Sequence, residues 1–278
     1  MASTTKSTTS SKTRKTSADQ AVFHGNYPTS VRMSETKKLP GPSWSLEAKR
    51  TCPGSKGEDG ELVDACKECY ATDGNYQRET VKAPRLSNQI DWKRDDWVSD
   101  VVDWLYEYSR KEESNNRSPV IHFRWFDSGD CYALPLARKI CEVVNRTPWV
   151  NHWMPTRMHK FEKFASIFEK LTEKPNFSLR FSSDSITGEV LTPGKAGDST
   201  IIPDKEWFKE GTPQRMIAED IERKTLEAGI FICPAYKQEG KCQDCRMCWN
   251  KKCRSIAYVS HGRKAKKLTT EKINALLP

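Results

Sequence analysis

The stretch Pro119-Val120-Ile121-His122-Phe123-Arg124-Trp125 sets the fold. It is short, apolar and β-branched at its start, so it reads as a strand. Working outward, Tyr132 to Arg146 places Ala133, Leu136, Ala137, Ile140, Cys141 and Val144 on one face, a helical spacing. Trp149 to Thr156 reads as a second strand. Met158 to Leu171 reads as a helix with Phe161, Phe164, Ala165, Phe168 and Leu171 on one stripe, and Asn176 to Ser182 as a third strand. Upstream, Asp95 to Glu112 is an amphipathic helix carrying Trp97, Val101, Trp104, Leu105 and Tyr108 on one side. Downstream, Gln214 to Ala228 is a helix, Gly229 to Cys233 and Ser255 to Ser260 are strands, and Thr270 to Leu277 is a closing helix.

Strand–helix–strand alternation with a step of about 28 residues is the signature of βα units, with parallel strands and right-handed crossovers. The expected fold class is α/β. The sheet is expected to be a partial or complete (β/α) barrel-like parallel sheet with a Cys-rich C-terminal metal-binding segment, and an open α/β sheet is the alternative. Residues 1–20 are rich in Ser, Thr and Lys and too poor in apolar side chains to offset their ordering entropy, so a disordered tail is expected there. Residues 21–278 are expected to form a single metal-binding domain, with 233–267 as its Cys-rich basic segment.

Ligands of such folds bind at the carboxyl ends of the strands. Trp44 to Arg50 is the expected first strand, which puts Cys52 just past its end, as Cys233 lies just past a later one. The same rim is then expected to carry Arg124, Asp127, Ser128 and Asp130, then Thr156 and Arg157, then Ser182, Ser183 and Asp184. Arg124, Asp127 and Asp130 are the candidate catalytic residues. Ser128, Ser183 and Asp184 are the candidate cofactor-binding ones. The plainer alternative for Ser128 or Asp130 is a helix cap. His122 reads as a core histidine, whereas His152 and His159 flank a strand end and are candidates for the rim.

Seven of the ten cysteines fall in two patterned groups. One is Cys52-Pro53 followed by Cys66 and Cys69; the other is Cys233-Pro234 followed by Cys242, Cys245 and Cys248. A two-residue gap lets two thiolates from one turn reach the same ion or cluster. The expected cofactor is an iron–sulfur cluster, [4Fe–4S] in type, on Cys52, Cys66, Cys69, Cys233, Cys242, Cys245 and Cys248. Three thiolates on such a cluster leave one iron open. Zinc is the alternative, since four thiolates also make a tetrahedral zinc site. A zinc ribbon, however, shows two Cys-x2-Cys pairs rather than a Cys-x2-Cys-x2-Cys run. Cys253 is an alternate ligand, and Cys131 and Cys141 on the predicted helix read as core or surface thiols.

The formal net charge is +9. Between Lys241 and Lys267 nine Lys/Arg face one acid, Asp244. Such a segment either contacts nucleic acid, or is a solvated surface patch or a set of cations offsetting the charge of thiolates. No apolar signal segment and no run of 18 apolar residues is present, so no membrane association is expected and clustered cysteines favour metal over disulfide.

Four ordered motifs resemble the phage gene-product-eighty-eight family: Thr51-Cys52-Pro53-Gly54; Cys66 and Cys69 with Tyr70-Ala71; Phe123-Arg124 with Asp127-Ser128-Gly129-Asp130; and Cys233-Pro234 with Cys242, Cys245 and Cys248-Trp249. The resemblance spans roughly residues 44 to 260 and implies a phage-encoded protein of the host cytoplasm. The Cys66–Ala71 element also looks like the cluster loop of phage proteins related to radical S-adenosylmethionine enzymes. Those hold three cysteines as Cys-x3-Cys-x2-Cys, whereas here the first gap is thirteen residues, 53–65. The implied function is an iron–sulfur cluster-binding protein, in its sharper form a radical-SAM-like enzyme using S-adenosylmethionine. The alternative is a zinc-binding structural or nucleic-acid-binding protein.

Overall fold

The computed structural model describes residues 31–67, 69–191 and 194–277; the expected tail, 1–20, lies outside them. The chain opens with β1 (Ser34–Glu35), β2 (Pro42–Trp44), a short helix α1 (Asp64–Lys67), α2 (Glu79–Asp91) and α3 (Trp97–Ser114). The alternating part follows as β3 (Ile121–Trp125), α4 (Leu134–Arg146), β4 (Val150–Thr156), α5 (Ala165–Glu173) and β5 (Phe177–Ser182). It continues through β6 (Gly197–Ile202), α6 (Pro213–Glu227), β7 (Phe231–Ile232), β8 (Ser255–Val259) and α7 (Arg263–Ala275).

The strands form one eight-stranded sheet in the order β1-β2-β3-β4-β5-β6-β8-β7. All neighbours are parallel except β1 with β2. The strand order is linear, with β1 and β7 as its edges, so among the described residues the sheet is not a complete barrel, while the expected mostly parallel α/β architecture holds. Both edge strands are only two residues long, too short to extend the pairing into closure.

Strands β2 to β6 are laid down in sequence order, so the α3, α4 and α5 crossovers share one face of the sheet. Trp97, Val101, Trp104, Leu136, Ile140, Val144, Phe168 and Leu171 pack there with Trp44, Phe123, Trp125, Met154, Phe177 and Leu179 in one core. Burying each such side chain contributes roughly 1.5–3 kcal/mol.

The opposite face is covered by the Cys-rich segment. Trp153, Cys248, Trp249, Cys253 and Ile256 form a separate apolar cluster there. Trp249 donates from Nε1 to the Phe123 carbonyl at 2.8 Å and sets its ring edge-on to Trp153 and His122. Arg180 on β5 is completely buried and donates to the carbonyls of Cys248 (3.1 Å), Met247 (3.0 Å), Asn250 (3.0 Å) and Arg254 (3.3 Å). One guanidinium thus satisfies a whole irregular stretch of backbone.

Three element boundaries differ from the expectation. The strand expected over Trp44–Arg50 ends at Trp44. Beyond it the backbone pairs with the β3 loop, as Leu46 N–H donates to Ser128 O (3.0 Å) and Ser128 Oγ to Leu46 O (2.7 Å). The helix expected from Met158 starts only at Ala165, because an extended Phe161 separates two 3-10 turns ahead of it. The last helix begins at Arg263, in the basic run that reads as a solvated patch.

Candidate metal and substrate site

The first cysteine group is assembled by a loop that folds back on itself. Pro53 opens a 3-10 turn, Pro53–Ser55, against Arg157; a Cβ on Gly54 would stand 2.5 Å from the Arg157 carbonyl oxygen, so only glycine permits this approach. Residues 56–62 then make an excursion closed by an antiparallel bridge, Lys56 to Leu62. Its ends meet where Val63 N–H donates to Ser55 O at 2.9 Å. The thirteen-residue gap is thereby pinched off, and the chain carrying Cys66 turns back toward Cys52.

Burial pushes the Cys52 thiol up to about 12, with the Asp130 charge and the neighbouring Cys69 and Cys66 adding to the rise. Burial likewise raises Cys66, opposed by the charge of Arg157 and reinforced by Cys69. The three sulfurs therefore lie within electrostatic reach of one another. Asp184 sits beside them, paired with Arg157 Nε at 3.3 Å and Lys160 Nζ at 2.5 Å, and its carbonyl accepts from Ala65 N–H.

The second group behaves in the same way. Burial raises Cys233 to about 11 and Cys242 above its ordinary value, with Cys242 and Cys245 adding to the first and Cys245 to the second. Cys248 is pushed up to about 12 by burial, with Cys233 and Cys242 contributing. Its Sγ stands 3.2 Å from the Tyr258 hydroxyl. Cys253 is buried too and feels Cys245. Cys131 precedes α4, contrary to its expected place on the helix, and is fully buried, whereas Cys141 lies half-buried on α4. Among the described residues no three His, Cys, Asp or Glu side chains form a group that would hold a metal ion as they stand.

Between the two groups lies a buried polar network. Asp127 accepts from Tyr76 Oη at 2.6 Å and from Arg85 Nη2 at 3.3 Å, and its other oxygen pairs with Arg124 Nη1 at 3.3 Å. Its backbone is held as well: its carbonyl accepts from Tyr70 Oη (2.6 Å), and its N–H donates to Ser45 Oγ (3.0 Å). Ser128 Oγ accepts from Arg85 Nε at 2.7 Å. Arg124 lies over the Trp153 ring, 4.7 Å from its centroid, and also bears on Cys242. It thus spans from Tyr70, next to Cys69, to the Cys-rich segment.

Asp130 ties two strand ends together. It accepts from Cys131 N–H (2.7 Å), Thr156 Oγ1 (2.6 Å) and Arg157 N–H (2.9 Å). Burial still lifts its carboxyl above the ordinary value. Ser183 Oγ accepts from Ser185 N–H at 3.2 Å, a local turn contact, while its carbonyl accepts from Arg157 Nη2 at 2.8 Å. Phe126, which turns the chain out of β3, takes a positive φ of 59°, and Gly129 one of 79°. A Cβ on Gly129 would lie 2.6 Å from Leu46 Cβ, so the tight loop needs glycine.

The rim candidates Arg124, Asp127, Ser128, Asp130, Arg157, Ser183 and Asp184 do lie at the carboxyl ends of β3, β4 and β5. His152 does not. It is buried mid-sheet against Trp125 and Phe177, because its position in the pleat points it to the helix side. His159 stacks on Phe181 at 4.6 Å. Tyr76, Arg85, Lys160, Arg180 and Tyr258 belong to the site's surroundings without any motif to announce them. For Tyr258 the strand alternation of Ser255 to Val259 is the available signal.

No helix of the described residues is long and apolar enough to cross a membrane. No curated protein and no solved structure matches the chain. A family model described as Gene product 88 matches residues 4–251. That match covers most of the sequence, including all seven patterned cysteines and the β3 loop, and the chain belongs to this phage family, Gene product 88.

Proposed function

We propose that the protein binds iron–sulfur clusters at two all-thiolate centres, one at the carboxyl ends of the strands and one in the Cys-rich segment that covers the second face of the sheet. Cys52, Cys66 and Cys69 would hold one, and Cys233, Cys242, Cys245 and Cys248 the other. The observation that supports this reading is the closure of the 56–62 excursion, which brings Cys66 back within electrostatic reach of Cys52; the thiols as they stand do not yet form a metal-holding group, so binding draws their side chains together. Buried thiols raised this far stay protonated at neutral pH, and a metal that displaces the protons repays the desolvation of the thiolates.

A centre held by three thiolates supplies an iron with a free coordination position for substrate or for electron transfer. Around Cys66, Arg157 and Lys160 offset thiolate charge, and Asp184 fixes their positions. Arg124, held by Asp127 and Trp153, keeps a cation between the two groups. Tyr258 directs its hydroxyl at Cys248 Sγ. A radical-SAM-like reaction of S-adenosylmethionine at the three-cysteine centre is the sharper form of the proposal. The pinched loop supports it, since it shortens the effective path from Cys52 to Cys66.

Protein purified without oxygen tests the reading. A brown sample with broad absorption in the visible and iron with inorganic sulfide on analysis is expected. A colourless sample containing zinc replaces it with the structural-zinc reading, for which the four-cysteine group has the right donor set.

A further inference from the structure

We propose that the carboxyl rim carries a binding surface for single-stranded nucleic acid, with Tyr70 as a stacking platform and Arg263, Lys266 and Lys267 as phosphate contacts. The proposal goes beyond the metal reading and does not depend on which metal the thiols hold.

The platform is the first observation. Tyr70 is half exposed, at 50 %, although its hydroxyl is tied down by donation to Asp127 O and a contact from Arg124 Nη2 at 3.4 Å. Tyr76 packs against its ring edge-on, 5.5 Å between centroids. An aromatic ring held rigidly yet open to solvent loses little freedom when a base stacks on it.

The charge is the second. The sequence's basic segment divides in two once its contacts are known. Lys251 donates to the Thr172 and Lys174 carbonyls at the end of α5, Arg254 to the Gly194 and Lys195 carbonyls, and Lys241 pairs with Glu239. Those cations serve the fold. Arg263, Lys266 and Lys267 are instead exposed, and at spacings of three and four they share one stripe of α7.

The third observation places the stripe beside the platform. Lys264 pairs with Asp73 at 2.9 Å, and Asp73 ends the 3-10 turn that begins at Tyr70. Lys272 pairs with Asp64 at 2.5 Å, so the helix lies along the first cysteine-bearing segment. Exposed cations thus line α7 alongside the turn that carries Tyr70. A cationic track with an aromatic at its end fits a phosphate backbone with splayed bases better than an acidic peptide, which has no ring to stack.

Fluorescence anisotropy with short labelled single-stranded RNA and DNA tests this, with iron or zinc measured on the same samples. Three phosphate contacts predict that log K falls with log salt with a slope of about −2. The combined Arg263→Glu, Lys266→Glu and Lys267→Glu variant is expected to lose on the order of tenfold or more in affinity with an unchanged melting temperature. Tyr70→Ala is expected to weaken binding by roughly fivefold or more, while Tyr70→Phe keeps most of the affinity because the ring remains. Absence of binding at low salt overturns the proposal, as does equal competition by polyglutamate. Equal loss in the Phe and Ala variants overturns the stacking role. Binding by a sample without metal separates this surface from the metal reading.

Discussion

His152 shows how far one side chain's surroundings dictate its chemistry. Trp125 Nε1 donates to its Nδ1 at 3.2 Å, so the ring proton sits on Nε2, which faces Thr147 Oγ1 at 2.8 Å; that hydroxyl donates onward to Val143 O. A second ring proton would meet the Trp125 N–H. Burial accordingly pushes this histidine down to about 3. An unfolded chain binds the proton at its ordinary pKa near 6.5, so stability is intact above that value and falls as pH drops from there toward 3. The expected slope is about 1.4 kcal/mol per pH unit from this residue alone. Urea unfolding across that window checks it: His152→Gln is expected to flatten the slope, and an unchanged slope would contradict the assignment. The sequence offered this histidine as a candidate for the rim because it flanks a strand end, and the pleat that sends it inward is set by register. Asp127 and Asp130 were legible as rim residues from their place after a strand. Their partners Arg85 and Tyr76 were not, since they arrive from a segment forty or more residues away in the chain.

Elements were legible where apolar spacing was strong. The alternation from β3 to β5 follows from it, because α4 and the strands bury nearly every apolar residue that sets the pattern. Two elements were illegible for definite reasons. Helix α2 carries Pro84 inside it and buries Arg85 and Asn88, so its pattern is polar. Strand β6 buries Asp198, Ser199 and Thr200 and likewise shows no apolar run. The cysteine loop illustrates the same limit from the other side. Spacing alone reads as a stretched set of candidate ligands, whereas the Lys56–Leu62 bridge makes the stretch an appendage. Replacing residues 56–62 by a two-glycine link is therefore expected to leave iron per chain unchanged and stability altered by less than about 1 kcal/mol. Iron analysis and urea unfolding of the shortened protein check this, and loss of iron would show that the excursion shapes the centre.

At the scale of the whole molecule, the sheet divides the labour between its faces. Helices α3, α4 and α5 supply the core on one side, and the Cys-rich segment, clamped by Arg180 and plugged by Trp249, supplies the other. This arrangement brings segments distant in the chain together: Arg124 pairs with Asp127, reaches the Tyr70 hydroxyl next to Cys69, and bears on Cys242 of the Cys-rich segment. The sheet, with short edges in place of closure, leaves the carboxyl rim accessible. The central claim is that each thiol group holds its own centre. Iron and inorganic sulfide per chain, measured in oxygen-free preparations of the native protein and of two triple variants, test it most directly. One variant carries Cys52→Ser, Cys66→Ser and Cys69→Ser; the other carries Cys242→Ser, Cys245→Ser and Cys248→Ser. Each is expected to retain about half of the native iron and sulfide, with the remaining centre still coloured. Complete loss of iron from both would contradict two independent centres, and a native protein without iron would contradict the account as a whole.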